Sequence, residues 1–165
     1  MLLKGSCHCK AITFSVESDQ PCPFNLCFCS ICRKTQGGGG YAINLGGNAN
    51  SLKVEGTEHI SIYQASIDMA EGGKQISNAK RHFCAKCGSG LWLYDSRWPD
   101  LIHPFASAID TELPMAPNRT YMMTGSKSSW IPIDSGMYDN VFESYPDESL
   151  ADWHLRHGIG KGSSK

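Results

Sequence analysis

Seven of the eight cysteines in this 165-residue chain fall into three tight groups: Cys7-His8-Cys9, Cys27-Phe28-Cys29-Ser30-Ile31-Cys32 and Cys84-Ala85-Lys86-Cys87. A chain of this length can bury one core without disulfides, and clustered thiols at these spacings read as metal ligands before they read as bridges. Zinc takes thiolates at about 2.3 Å and closes a structural site with four of them in a tetrahedron. Cys84-x-x-Cys87 with Gly88 behind it has the form of a zinc knuckle, in which the glycine permits the closing turn. Cys7 and Cys9 lie two residues apart, so on a strand they share a face and reach one ion where the strand ends or bends. Joined across about 75 residues, the two pairs make a closed four-thiolate site that staples the first strand to a late hairpin.

Cys27, Cys29 and Cys32 then form a set of three, the number that catalytic zinc sites draw from protein while keeping a fourth position for water or substrate. Such a site lowers the pKa of a bound thiol or water and polarises a carbonyl, which points to a thiol-dependent reaction. Cys22, in Gln20-Pro21-Cys22-Pro23, is the open question: as a fourth ligand it closes the site, and as a small apolar residue it is simply buried.

The rest of the chain reads as mainly β. Strand character marks Ala11 to Val16, Tyr41 to Leu45, Leu52 to Val54, Ile60 to Gln64, Lys80 to Cys84, Leu91 to Tyr94 and Leu101 to Ala108. Helical periodicity is confined to one turn at Ser30 to Lys34 and to Asp147 to His157, where Leu150, Trp153, His154 and His157 share a face. Residues 1–157 are expected to form one domain and 158–165 a disordered tail. Trp92, Trp98, Trp130 and Trp153 are expected to build the core.

Fifteen basic residues against sixteen acidic ones give a net charge of -1 with no basic run, which argues against nucleic acid as a partner. Mean hydropathy is -0.30, and no apolar stretch approaches the ~20 residues of a membrane span. Met1 to Gly5 leads straight into polar, cysteine-bearing sequence rather than a secretory signal, so a cytoplasmic protein is expected. Nothing in the pattern fixes an oligomeric state.

Other residues carry two readings each. Arg33 and Lys34, next to the middle cluster, either receive a carboxylate of a cosubstrate or form a solvated pair. Gly37 to Gly40 either lets a ligand approach bare backbone or connects a hairpin; it lacks the Lys-Ser or Lys-Thr of a phosphate loop. His82 is placed for a hydrogen bond to a thiolate of the knuckle, and His154 and His157 for surface or capping roles. Asp110 and Glu112 are either a base or an ordinary polar turn.

Three segments together carry a resemblance: Gly5-Ser6-Cys7-His8-Cys9-Lys10-Ala11-Ile12-Thr13-Phe14, Cys27-Phe28-Cys29-Ser30-Ile31-Cys32-Arg33-Lys34 and Arg81-His82-Phe83-Cys84-Ala85-Lys86-Cys87-Gly88-Ser89. In order and spacing they resemble the glutathione-dependent formaldehyde-activating enzyme family, which includes centromere protein V, and the likeness continues through Ser126-Lys127-Ser128-Ser129-Trp130-Ile131. The resemblance implies a β-tent of small antiparallel sheets stapled by zinc, with Cys7, Cys9, Cys84 and Cys87 on a structural ion and Cys27, Cys29 and Cys32 on a second ion at the active site. It also implies carbon-sulfur lyase chemistry on a small-molecule thiol, the reversible joining of glutathione and formaldehyde to S-hydroxymethylglutathione. Phe28 stands where many members have His, and Cys22 and the glycine run are outside the family pattern. The same fold working on another small metabolite, and a non-catalytic zinc-stapled binding module, remain open alternatives.

Overall fold

The computed structural model describes residues 1–36, 38–137 and 139–159. Along the chain run β1 (Leu2–Ser6), β2 (Thr13–Glu17), β3 (Asn25–Cys27), α1 (Ser30–Gln36), β4 (Ala42–Ile43), β5 (Gly47–Asn48), β6 (Lys53–Glu55) and β7 (Ile60–Asp68). They are followed by β8 (Lys74–Cys84), β9 (Gly90–Asp95), β10 (Leu101–Pro104), β11 (Thr120–Met122), β12 (Asn140–Val141) and α2 (Leu150–Arg156). The fold is mainly β, in three small sheets ordered β1-β2-β6, β5-β10-β9-β8-β7 and β12-β11-β3-β4.

Alternation explains the first two sheets. In β2, Phe14 and Val16 are buried while Thr13, Ser15 and Glu17 face outward, so one face of the sheet is apolar and must be covered. It packs on the apolar face of the five-stranded sheet: Leu3, Ile12, Phe14 and Val16 meet Leu91, Trp92 and Ile102, and the Phe14 ring stands edge-on to Trp92 at 5.2 Å. Pairing here is antiparallel throughout, Leu2 opposite Glu17 in the first hairpin and Ile60 opposite Cys84 in the long β7–β8 hairpin.

The third sheet adds a feature that the strand pattern does not announce. β11 pairs parallel to both β3 and β12, and only β3–β4 is antiparallel. Strands of two or three residues carry no readable period, which is why β3, β11 and β12 leave no signal in the sequence. A second apolar cluster of Leu26, Phe28, Tyr121 and Ile131 lies on this sheet.

α2 covers a third cluster. Trp153 is fully buried and stacks on Phe24 with 3.7 Å between ring centroids, and Cys22 packs beside them. His154 is buried too, not at the surface or a cap: its Nε2 accepts the Cys22 N–H at 2.9 Å, while Nδ1 sits 2.7 Å from the Leu150 carbonyl. Of the four tryptophans, Trp92 and Trp153 are core residues, whereas Trp98 and Trp130 are 52% and 67% exposed. Arg97 lies over the Trp98 ring at 4.7 Å, a cation–π contact that suits an exposed indole. At the expected tail, Ile159 packs against the α2 cluster and its N–H bonds to the His154 carbonyl, while 160–165 lie outside the described residues.

Candidate metal and thiol site

Two turns meet to form the four-cysteine group. Cys7 follows β1, and the chain reverses at once: Lys10 adopts a left-handed φ of 60° and its N–H bonds to the Cys7 carbonyl at 3.0 Å. Cys84 ends β8, and the Gly88 N–H returns to its carbonyl at 2.8 Å with φ at +74°, the conformation that the knuckle requires of a glycine. The turns are tied together where the His8 N–H donates to Ser89 Oγ at 3.1 Å.

The four Sγ atoms lie within 4.8 Å of one another, with Cys7–Cys9 at 3.6 Å and Cys9–Cys84 at 3.8 Å. A tetrahedron with metal–sulfur bonds of about 2.3 Å has edges of about 3.8 Å, so these thiols already stand at the separation that zinc imposes. The Ile12 N–H points at Cys7 Sγ, 3.3 Å away. The Ser89 hydroxyl, 3.3 Å from Cys87 Sγ, leads the interactions that draw that thiol down to about 5. Cys7 and Cys84 are buried and Cys9 and Cys87 exposed, so the group sits at the rim of the core that joins the first two sheets.

The three-cysteine group lies where β3 gives way to α1. Cys27 ends the strand, the Phe28 N–H holds the next residue to the Met122 carbonyl at 3.0 Å, and Cys29 stands immediately before the helix. There its sulfur accepts the Cys32 N–H at 3.3 Å, as a serine or aspartate oxygen does at a helix start. The three Sγ atoms lie within 4.8 Å of one another, with Cys27 and Cys32 buried and Cys29 half-buried. Hydrogen bonds from Cys27 and Cys32 draw the Cys29 thiol down to about 2, and donating to Cys29 pushes Cys27 upward.

Among the described residues no fourth His, Cys, Asp or Glu joins this group. Cys22 is not a ligand: its Sγ is 3.8 Å from the Pro114 carbonyl in the α2 cluster. Both cysteine groups can therefore hold metal ions, one with four protein donors and one with three.

Two neighbours of the open group escaped sequence reasoning. Arg81, on β8, is buried and brings Nη2 to 4.0 Å from Cys32 Sγ across 49 residues of sequence. Tyr145 borders the same thiols: desolvation, then the charge of Cys27, Cys29 and Cys32, raises its phenol above the ordinary value. Neither residue type has a spacing signal, since contacts this remote in sequence leave no local pattern.

The remaining candidates fall as follows. Arg33 and Lys34 lie in the last turn of α1, Arg33 half-buried and Lys34 exposed. His82 stacks on Trp92 at 5.2 Å, and its buried Nδ1 meets no thiolate, so the expected hydrogen bond to the knuckle is not made. Asp110 accepts from the Ser6 hydroxyl at 2.5 Å and from Lys10 at 3.4 Å, contacts that hold its carboxyl below the usual range and make it a poor base. Glu112 is exposed. Gly38 and Gly40 take positive φ between α1 and β4, and the space of a Gly40 Cβ is filled by Ile131, so that part of the run serves a turn; Gly37 lies outside the described residues.

Comparison with known proteins places these residues in context. Residues 2–125 match the model of the family described as glutathione-dependent formaldehyde-activating enzyme. A protein of Halomonas elongata, provisionally named a glutathione-dependent formaldehyde-activating enzyme, is 56% identical over 98% of this chain and 100% of its own length. A crystal structure of a Rhodobacter sphaeroides protein aligns with 68% of this chain and 99% of its own at 24% identity, with a TM-score of 0.49.

Proposed function

The chain belongs to the glutathione-dependent formaldehyde-activating enzyme family, and on that premise we propose that it is a carbon-sulfur lyase that joins glutathione reversibly to formaldehyde. The observation that carries this reading is the three-thiol group at the start of α1, half-open at Cys29 and without a fourth protein donor among the described residues. An all-sulfur donor set with the four-cysteine group at tetrahedral separations fits zinc at both sites. Zinc held by Cys27, Cys29 and Cys32 would supply Lewis acidity and favour the ionised form of a thiol in the open position.

The chain's own residues do the rest. Arg81 sets a fixed positive charge beside Cys32, which favours anionic sulfur at this end of the molecule. Arg33 and Lys34, which follow Cys32 directly in α1, are available to a substrate carboxylate. In the forward direction the glutathione sulfur attacks the formaldehyde carbon, an S–C bond forms, and the carbonyl pair moves to oxygen, which takes up a proton. That proton balances the one the glutathione thiol gives up on ionising, with water as the carrier. The reverse sequence breaks the S–C bond and releases formaldehyde. Solution in the cytoplasm suits such a reaction, and among the described residues no helix is long and apolar enough to cross a membrane.

The test is exchange spectroscopy by NMR on metal-loaded protein with glutathione and carbon-13 formaldehyde. Exchange between free formaldehyde and the thiol adduct is expected to accelerate in proportion to protein concentration. A rate equal to that of the protein-free mixture at every protein concentration overturns the proposal.

A further inference from the structure

Arg81 is anomalous as a structural residue. It is 7% exposed, yet its Nε and Nη1 find no acceptor among the described residues, and its contact with Cys32 Sγ is long at 4.0 Å. Taking a guanidinium out of water is costly unless anionic acceptors satisfy its N–H groups. The Cys32 sulfur can answer for one edge of the group and leaves the others unmet.

Arg81 also lines a cleft of about 400 Å³ between α1 and the β7–β9 face of the large sheet. Thr35 and Gln36 form one wall, and Tyr63, Phe83 and Phe105 another. None of the residues lining it is acidic, so no carboxylate of the protein competes for the guanidinium. Its volume falls in the range of small-ligand sites, and its largely apolar walls strengthen any ionic contact made inside. Gln36 reaches across the cleft to Gly90, where a Cβ would collide with its side-chain amide, so the wall is held close by a residue without a side chain. Cys32 and Gln36 share the same short helix, which fixes the distance from cleft to thiol group.

From this we infer that the Arg81 cleft is a carboxylate subsite: it receives one carboxylate of the thiol substrate and so selects acidic thiols over neutral or cationic ones. The inference rests on the proposed reaction for the identity of that substrate, but it concerns binding and not chemistry. It differs from the expectation for Arg33 and Lys34, which are less buried and do not line this cleft. Arg81 acts here as a binding residue through a charge-assisted hydrogen bond.

The experiment measures binding to zinc-loaded protein by NMR titration, using glutathione, each of its two monoethyl esters, and cysteamine as probes. Wild type is expected to bind at least one monoester about tenfold or more weakly than glutathione, in line with a charged hydrogen bond. Arg81→Met should bind glutathione and that ester equally weakly, and Arg81→Lys should recover part of the discrimination. Zinc content of each variant is measured alongside. If wild type binds glutathione and both monoesters alike, the inference fails whatever the variants do; if Arg81→Met discriminates acid from ester as wild type does, it fails as well. Carboxylate-dependent binding without accelerated formaldehyde exchange would leave the subsite standing and overturn the proposed reaction, and the opposite result would do the reverse.

Discussion

Replacing Cys9 and Cys87 together by alanine separates the two cysteine groups by what each does for the fold. Both are exposed, so their truncation opens no cavity, and Cys7 and Cys84 are left as one donor fewer than the three-cysteine group offers. The four-cysteine group links Cys9 to Cys84, 75 residues away, and thereby fixes the first sheet to the large one. Treated as a cross-link, closing a loop of that length stabilises the folded state by about 4.5 kcal/mol in the chain-entropy model. The Cys27–Cys32 loop spans five residues and lies within one strand–helix junction, for which the same model gives only about 2 kcal/mol, part of it already secured by the helix. A domain of this size loses about 2–4 °C of Tm per kcal/mol, so C9A/C87A is expected to melt roughly 9–18 °C below wild type. Cys29→Ser, which keeps an oxygen at the start of α1, should fall by less than half as much while losing one of two bound metal ions. Calorimetric melting of metal-loaded proteins, with metal content measured by emission spectroscopy, decides the matter. A C9A/C87A protein that melts within about 3 °C of wild type, or a C29S protein that falls as far as C9A/C87A, would refute the division into a staple and an open site.

Two further outcomes follow from the α2 cluster. Trp153→Ala removes a fully buried indole stacked on Phe24 and bonded to Asn118 Oδ1 at 3.1 Å, a loss of about 3–5 kcal/mol that is expected to undock α2. In metal-loaded protein the Cys22 thiol, shielded in wild type, should then react with a chromogenic disulfide; a variant whose Cys22 stays unreactive would show that α2 is not its cover. Burial holds the His154 imidazole below its usual pKa, so it is neutral in the fold and accepts the Cys22 N–H. Protonation then favours the unfolded chain, and this contribution to stability is intact above about pH 6.5 and lost as pH falls below it. His154→Gln should flatten the decline in denaturation midpoint between about pH 6.5 and 5, and an unchanged slope would exclude His154 as its source.

The two sulfur clusters were legible in the chain because each part of them is local. Cys7-x-Cys9, Cys84-x-x-Cys87 and Cys27-x-Cys29-x-x-Cys32 each bring sulfurs together through one turn or one helix start, and a turn is a matter of a few neighbouring residues. The longer strands were readable for the same reason, since β2 and β9 carry their burial in their own alternation or apolar content. The pairing of the first and last cysteine groups also followed, because zinc's need for four donors leaves two half-sites incomplete until they meet.

What the sequence alone determined is therefore a mainly β chain with one four-donor and one three-donor thiol set. Whether Cys22 would close the second set was decided only by tertiary structure, where Phe24, Trp153 and His154, the last 132 residues away, bury it in another cluster. The same is true of Arg81, which a β-strand position would ordinarily leave as an unremarked charge. Its importance comes from meeting Cys32 between the large sheet and α1 and from losing its water there. Burial and contact between distant segments are properties of the packed core, and a residue's cost or use as a charge depends on that surrounding rather than on its neighbours in the chain.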